Sequence, residues 1–321
     1  MNTLSGVLPA ARLLIALLIW VPISVSAQVA VTVSFDASAA VLTNPERAQI
    51  TSHAQAAGFR WGQMLGVSGP RNIEVQIGIA PISTANGASL TTVFVGIING
   101  RDTFEQGVAH ELRTGIDPDP AEADAQFNFG LTYLRNELWF DPDPFARIAP
   151  VPIDRTDAMG VFLHEFGHAI AYNGWANGQG VPPATFWSPF DRWMQPGTPT
   201  LFQGPAAVST WGSAPDLTTG NIMHWGNSSK PLQARFPAPR KVEWRNGAPV
   251  PHLVCDDLVS ADLPDFMRRG SPPPGLLGQL MNGVVIFRGT RYDISALDLA
   301  TLADVGLPNN NRLFASGFET P

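Results

Sequence analysis

The residues with the clearest chemical potential in this sequence are two histidines and a glutamate in one short apolar stretch. His164, Glu165 and His168 form an H-E-x-x-H pattern. On a helix, residues four apart lie on one face, so both imidazoles would point toward the same spot. Two imidazole nitrogens suit a zinc ion, and a neighbouring carboxylate can act on a water molecule held there. The pattern therefore predicts Zn²⁺ as cofactor, His164 and His168 as ligands, and Glu165 as the catalytic residue.

The flanking sequence favours a helix around this pattern. Asp154 or Thr156 can cap the start of the helix, and Asn173-Gly174 supplies a stop. Apolar residues on the opposite side would anchor the helix in a core: Phe162, Phe166, Ala169 and Ile170. Burying two histidines beside a glutamate is costly unless something binds them, which favours a metal site over ordinary core histidines.

A catalytic zinc site needs a third protein ligand and one open position. The compact H-E-x-x-H-x-x-G-x-x-H pattern would have a histidine where this chain has Gly174. The glutamates that follow His168 are Glu243 and Glu319, which are too distant for a ligand on the next helix. The remaining candidates are His224, His252 and aspartates such as Asp191.

Further pieces of the sequence extend the pattern. They are His224-Trp225, Leu280-Met281, Ser295-Ala296-Leu297 and Asp304-Val305-Gly306-Leu307. Together with H-E-x-x-H they resemble the metzincin-type zinc metallopeptidases, and most closely the leishmanolysin branch. The resemblance implies that His224 is the third zinc ligand and that Met281 forms the Met-turn beneath the metal. It also implies an α+β fold of zincin type, with an N-terminal twisted mixed sheet, an active-site helix, and an irregular C-terminal subdomain ending in a helix.

Some features depart from the family pattern. Metzincins have a glycine where this chain has Ala171, so we expect the turn out of the active-site helix at Asn173-Gly174. Met281 follows His224 at a much greater distance than in the family, which indicates a Pro-rich insertion. The single cysteine, Cys255, excludes an intramolecular disulfide. We expect Cys255 to be a small buried residue rather than a latency ligand for the metal.

The start of the chain has the pattern of a signal peptide. Arg12 precedes the apolar run Leu13–Val21, and Val25-Ser26-Ala27 fits the cleavage rule, with Gln28 as the first mature residue. The run is too short to span a bilayer, so we expect no stable membrane insertion after cleavage. The segment Phe314–Glu319 resembles short tails of some secreted bacterial proteins. We therefore expect an exported bacterial protein, extracellular or periplasmic.

Composition indicates a globular protein with long irregular segments. The 321 residues include 29 Pro and 30 Gly, and the net charge is −7, which disfavours a nucleic-acid partner. We predict three parts. Residues 1–27 are the signal peptide, and 28–174 form the N-terminal zincin subdomain with the active-site helix. Residues 175–321 form a loop-rich subdomain with the third ligand, the Met-turn and the terminal helix.

Periodicity predicts the elements that position the site. Alternating apolar residues predict strands over 29–35 and 73–79, and β-branched residues predict another over 93–98. Helical spacing predicts one helix from Asn44 and another after Ser295.

Three further short strands are predicted, and one tyrosine is considered for the site. Gln126–Phe129 is predicted to be a strand, and we expect a peptide to pair along its edge or near Trp139. Leu138–Phe140 is predicted to continue that strand, and 284–287 to form a short one. The Tyr292 hydroxyl could stabilise an oxyanion, but an ordinary core or surface tyrosine is the preferred interpretation.

Other polar residues are interpreted as structural. His53 and His110 have no partner residues nearby in sequence. An acidic loop carries possible calcium ligands, Asp119, Glu122 and Asp124. Their spacing matches no defined calcium loop, so we expect a solvated loop.

The motif favours a secreted zinc-dependent endopeptidase that acts on protein or peptide substrates. Glu165 would accept a proton from the attacking water and pass it to the leaving amine. Two other functions use the same residues. One is a secreted, non-catalytic adhesion or binding protein on a zincin scaffold, and the other is a zinc hydrolase of non-peptide bonds.

Overall fold

A computed structural model describes residues 29–226, 242–251, 254–255, 275–283 and 286–308. The signal peptide over 1–27, the predicted mature N-terminus Gln28, the candidate ligand His252 and the tail lie outside these residues, as does the Cys255 side chain. No helix in the described ranges combines the length and the apolar composition needed to cross a membrane.

The described residues form an α+β fold. The helices are α1 (Asn44–Met64), α2 (Gly107–Thr114), α3 (Leu131–Asn136), α4 (Ala158–Ile170), α5 (Pro205–Trp211) and α6 (Ala296–Asp304). The strands are β1 (Val29–Phe35), β2 (Arg71–Ala80), β3 (Ala85–Ser89), β4 (Thr92–Ile98), β5 (Arg101–Gln106), β6 (Ala125–Gly130), β7 (Leu138–Trp139), β8 (Thr156–Asp157), β9 (Phe186–Trp187), β10 (Met194–Gln195), β11 (Leu201–Phe202), β12 (Trp244–Arg245), β13 (Ala248–Pro249) and β14 (Val254–Cys255).

A mixed five-stranded sheet forms the framework of the N-terminal half. Its strand order is β1-β2-β6-β3-β14. β1, β2 and β6 run parallel, whereas β3 is antiparallel to β6 and to β14. The strands predicted over 29–35 and 73–79 are confirmed, and the one over 93–98 is confirmed in a separate sheet, β4-β5-β9.

Strand β6 contains the predicted strand Gln126–Phe129, but it lies in the interior of the sheet. β2 and β3 bind its two edges, so no substrate peptide can pair there, and that prediction is wrong. The continuation over Leu138–Phe140 is also wrong. After β6 the chain forms α3, and Leu138 and Trp139 then pair with β8 in a small sheet of their own.

Helix α1 begins at a strong capping signal and packs against α4. The Thr43 side chain accepts a hydrogen bond from the Glu46 N–H, and the Glu46 carboxylate accepts one from the Thr43 N–H. This reciprocal cap fixes the start of the helix. Near its other end, buried Trp61 donates its Nε1–H to the Leu163 carbonyl at 3.0 Å. The helix predicted from Asn44 is confirmed.

Helix α4 carries the H-E-x-x-H pattern, and every residue of the helix is buried. Its N-cap is Asp157, which lies just beyond the expected caps Asp154 and Thr156 and makes no side-chain capping bond. The chain turns away at Ala171, whose φ of −154° suits any residue. The turn therefore comes earlier than the expected Asn173-Gly174, and it needs no glycine.

One apolar core connects the sheet, α4 and the C-terminal segments. Phe127 of the sheet meets Phe166 of α4 edge to face, with ring centroids 4.9 Å apart. Phe129 of the sheet and Phe162 of α4 also pack together, with tilted rings whose centroids lie 5.1 Å apart. Met281 is in the same core. The helix with the histidines is therefore packed on both sides, which restricts its movement.

The described residues after α4 form short elements around two helices. α5 and α6 pack together, and the Asp304 carboxylate accepts hydrogen bonds from two N–H groups in the first turn of α5. Ser295 and Asp298 form a capping box at the start of α6, which confirms that helix. Of the strand predicted over 284–287, only 286–287 are described, and they are not a strand.

His53 on α1 gives a prediction for the pH dependence of stability. Burial disfavours the charged ring and lowers the pKa of His53 from 6.5 to about 4. The folded state therefore binds the proton less well than the unfolded state does. We expect the free energy of unfolding to fall by up to about 3 kcal/mol as the pH drops from 6.5 to 4. Urea unfolding across this range measures the effect.

The control for this prediction is His53→Gln. Glutamine can replace the bonds in which Nδ1–H donates to the Gln49 carbonyl and Nε2 accepts the Asp141 N–H. It does not titrate, so the loss of stability below pH 6.5 should shrink in the variant. Both proteins keep the other histidines, so the difference between them isolates His53. Equal pH slopes in the two proteins would contradict the assignment.

Candidate metal centre

Three histidine rings from distant parts of the chain meet at one point. The Nε2 atom of His168 lies 3.0 Å from that of His164 and 2.9 Å from that of His224, and the third separation is 3.2 Å. His164 and His168 lie one turn apart on α4, whereas His224 lies in the loop after α5. His164 is 1% exposed and the other two are 0% exposed. The structure thus joins His224 to the pair on α4.

A backbone carbonyl group orients each ring. The Nδ1–H donors and their carbonyl acceptors are His164 and Leu280 at 2.7 Å, His168 and Tyr172 at 2.8 Å, and His224 and Asn221 at 3.2 Å. A carbonyl oxygen can only accept, so the proton of each neutral ring is on Nδ1 and Nε2 carries a lone pair. Three lone pairs therefore converge.

This arrangement fits a zinc ion. Tetrahedral coordination at about 2.0–2.1 Å separates the nitrogens by about 3.3–3.4 Å, close to the observed 2.9–3.2 Å. A bond from Nδ1–H to a carbonyl is a usual outer contact of histidine ligands. Glu165, 0% exposed, adds a buried carboxylate on the same helix. A cation would stabilise this carboxylate and the converging lone pairs.

The turn Leu280–Gly283 supports the site from the side of the C-terminal segment. Met281 is completely buried and lies against Gly167, where an added Cβ would overlap its sulfur atom. The Met281 carbonyl accepts a hydrogen bond from the Trp225 N–H at 2.7 Å. A Cβ on the glycine that ends the turn would lie 2.5 Å from the Cβ of His224. One turn therefore contacts both histidine-bearing segments.

Glu165 lies between α4 and strand β3. A Cβ at Gly87 would lie 2.8 Å from the Glu165 Cβ and 3.0 Å from its Oε2, so glycine allows this close approach. Gly87 pairs with Phe127 of β6 on one side and with Val254 of β14 on the other. The strand beside the glutamate is therefore β3, and β14 occupies its outer edge at this point.

Comparison of the chain with protein-family models, with curated proteins and with solved structures finds no match. The side chains of the site supply three converging imidazoles and a buried glutamate next to one of them in sequence.

Asp191, the weaker candidate for third ligand, has another role. Its buried carboxylate accepts hydrogen bonds from the N–H groups of Trp175, Ala176 and Ser188 at 2.8, 3.1 and 3.0 Å. A Cβ at Gly174 would overlap this carboxylate. Burial raises the pKa of Asp191, while the three N–H groups oppose that rise. Asp191 therefore organises the loop after α4 and is not part of the histidine group.

Two other residues singled out in the sequence also lie apart from the three rings. The Tyr292 hydroxyl donates to the Leu277 carbonyl at 3.2 Å and accepts the Phe287 N–H at 3.4 Å, and burial raises its pKa. It is a core tyrosine, in agreement with the preferred interpretation. His110 contacts the Glu105 carboxylate at 2.7 Å.

Asp298 is a positioning residue whose role the sequence did not reveal. Its completely buried carboxylate accepts hydrogen bonds through Oδ1 from the Tyr172 hydroxyl at 3.2 Å and from the Trp225 Nε1–H at 3.3 Å. Tyr172 holds His168 through its carbonyl, and Trp225 directly follows His224. The Asp298 carboxylate therefore binds one residue that orients His168 and one residue that directly follows His224. The sequence indicates only that Asp298 belongs to the cap of α6.

Two glycines on α4 provide a matched test of the packing under the site. Gly167→Ala should destabilise the fold by about 1–3 kcal/mol, because the new methyl group meets buried Met281. Gly160→Ala should stabilise it by about 0.5–1 kcal/mol, because its nearest neighbour is the Tyr292 Cβ at 3.5 Å. Urea unfolding measures both. Equal effects of the two substitutions would show that Met281 does not press on the helix.

Proposed function

We propose that this chain is a secreted zinc-dependent endopeptidase with His164, His168 and His224 as metal ligands and Glu165 as general base. The observation that carries the proposal is the convergence of three Nε2 atoms within 3.2 Å of one another. Each Nδ1–H is engaged by a carbonyl group, which leaves Nε2 of each ring to bind a metal.

The chemistry follows from the residue types. His164, His168 and His224 would hold the zinc ion, which would polarise the scissile carbonyl group and acidify the attacking water. A carboxylate oxygen of Glu165 accepts the proton of the attacking water and then donates it to the amine that leaves. Close packing between α4 and Gly87 restricts the Glu165 side chain.

The surroundings of the site agree with the resemblance to metzincins and support the proposal. A methionine lies beneath the helix that bears two histidines, in a turn that also contacts the third histidine. The chain leaves the helix soon after His168, at the position where metzincins have a glycine. β3 runs beside Glu165, but β6 and β14 pair with its two edges at Gly87, so a peptide substrate would pair with β3 only after β14 is displaced.

One observation favours a second candidate, a secreted binding protein that uses the metal only for stability. Glu165 and the three histidines are 0–1% exposed, and β14 pairs with β3 where it passes Glu165. A catalytic centre has to admit its substrate, so these residues would need to become accessible. A metal that only stabilises the fold makes no such demand.

Digestion of a peptide library separates the candidates. Zinc-loaded mature protein is incubated with the library, and mass spectrometry identifies the new peptide ends. The endopeptidase should cleave, lose activity with a zinc chelator such as phenanthroline, and regain it when zinc is restored. Bound zinc without cleavage would support the binding protein. Cleavage that persists after complete removal of zinc would contradict the proposed function.

A further inference from the structure

A second group of ionisable side chains lies away from the histidines, at the end of the sheet. Glu111, Asp117 and Asp124 each place one carboxylate oxygen within 4.8 Å of the others. Glu111 lies on α2, Asp117 in the following loop, and Asp124 directly before β6. Glu111 is 6% exposed and Asp124 is 4% exposed. Carboxylates this close and this buried repel one another unless a proton or a cation joins them.

The buried Glu111 side chain gives independent evidence for a ligand. Its Oε2 is buried, and within the described ranges no protein N–H or hydroxyl group donates to it; the polar group beside Glu111 is the Asp124 carboxylate. The other two carboxylates are partly engaged, since Asp124 Oδ2 accepts the Glu74 N–H at 2.7 Å and Asp117 Oδ1 accepts the Asp119 N–H at 2.8 Å. A buried acceptor without a hydrogen-bond donor is unfavourable, and more so when it is charged.

The local positive charge does not balance the group. Arg71 lies near, but its Nε–H donates to the backbone carbonyl of Glu111 at 2.9 Å and its guanidinium also donates to the Pro70 carbonyl at 3.0 Å. Burial, followed by the charge of Asp124, raises the pKa of Glu111 to about 8. Burial also raises the pKa of Asp124. Without a cation, the Glu111 carboxyl therefore keeps its proton at neutral pH, and a bound cation would take the place of that proton.

We propose that Glu111, Asp117 and Asp124 bind a calcium ion. Calcium takes carboxylate, carbonyl and water oxygens at about 2.3–2.6 Å, so oxygens up to about 5 Å apart can share one ion. The group offers only oxygen ligands, which favours a hard cation over zinc. Of the loop acids considered from the sequence, Asp124 belongs to this group, whereas Asp119 and Glu122 do not.

The ion would connect the loop after α2 to the framework of the metal centre. Asp124 binds the Glu74 N–H of β2 through its carboxylate. Its carbonyl accepts hydrogen bonds from the Leu90 N–H at 2.8 Å and the Ser89 hydroxyl at 3.2 Å, at the end of β3. β3 is the strand that passes Glu165. Calcium would therefore stabilise the strand beside the proposed general base and would take no part in the chemistry.

Calorimetric titration of zinc-loaded protein with calcium chloride tests the proposal. Buffers are first freed of calcium with a chelating resin. We expect about one calcium ion per chain, with a Kd near the ~10⁻⁴–10⁻³ M typical of extracellular sites. Calcium should also raise the thermal unfolding temperature. This measurement is independent of peptidase activity and does not depend on the proposed function.

Matched variants identify the ligands. Glu111→Gln and Asp117→Asn should each weaken calcium binding by about tenfold or more, since each removes one charged ligand. Glu122→Gln removes the same charge from an exposed residue of the same loop and should change nothing. Asp117 is only half-buried, so its variant serves if Glu111→Gln does not fold.

Two results would overturn the proposal. One is equal calcium affinity in Asp117→Asn and Glu122→Gln. The other is no binding at about 10 mM calcium, together with a stability that rises as the pH falls from 8 toward 4.5. The second result would mean that Glu111 and Asp124 share a proton, because a carboxyl with a raised pKa stabilises the fold when it is protonated.

Discussion

Glu165→Gln is expected to leave zinc bound and to lower kcat for peptide cleavage by about 10²–10⁴-fold. In the proposed mechanism the glutamate transfers a proton and is not a ligand, so the three imidazoles should keep their positions. Glutamine has nearly the same volume, which suits a side chain that is 0% exposed and lies against Gly87. Metal analysis and steady-state kinetics on the same preparation measure the two quantities separately.

Glu122→Gln is the control for this experiment, because it makes the same chemical change at an exposed position. It should keep full activity. A Glu165→Gln protein with both stoichiometric zinc and substantial turnover would refute the general-base assignment. If the variant instead loses zinc, Glu165 helps to hold the metal, and its role in proton transfer would have to be tested in another way.

The helix that carries the H-E-x-x-H pattern could be predicted because its signals are local. The apolar face of α4 and the spacing of His164 and His168 lie within one short stretch, and the helical period converts that spacing into proximity. α1 and α6 were predictable for the same reason, since Thr43 and Ser295 begin capping boxes. The start of α4 was less certain because Asp157 caps it without a side-chain bond.

Strand β3 could not be predicted, although it is the strand beside Glu165. Its sequence, Ala85–Ser89, has small residues and no β-branched one, so it carries little strand propensity. The small residues are explained by packing, since Gly87 meets the Glu165 side chain directly. Because the sequence shows no sign of β3, it predicts a sheet edge at Gln126–Phe129, whereas β3 covers that edge. The predicted site of peptide pairing is wrong because it depends on a free edge at Gln126–Phe129.

The hydrogen bonds that orient the histidine rings and their neighbours also could not be predicted from the sequence. The acceptors of the histidine Nδ1–H groups are backbone carbonyls, which every residue has. Asp298 gives a capping signal, but nothing in the sequence links it to Tyr172 or Trp225. The cluster of carboxylates from Glu111, Asp117 and Asp124 could not be predicted for the same reason. Its members come from a helix, a loop and a strand end, and only the fold brings them together.

His224→Ala is expected to abolish stoichiometric zinc binding, because it removes one of the three converging imidazoles that are proposed as ligands. Two imidazoles on one helix turn cannot complete the coordination of zinc, and we expect the affinity to fall by at least about 10²-fold. The effect is distinct from that of Glu165→Gln, which should keep the metal. Zinc content after dialysis and the affinity from competition with a chromogenic chelator measure it. Circular dichroism checks the fold, since His224 is 0% exposed.

His110→Ala provides the matched control, because His110 lies outside the histidine group and contacts Glu105. It should keep full zinc. The decisive comparison is with His252→Ala, which changes the other histidine considered as third ligand. Loss of zinc in His252→Ala but not in His224→Ala would reject His224, and the resemblance to the leishmanolysin branch would lose its support. Loss in His224→Ala alone would match the three Nε2 atoms that meet within 3.2 Å. Three imidazole ligands would leave one coordination position of the zinc ion open for the water molecule that a catalytic site needs.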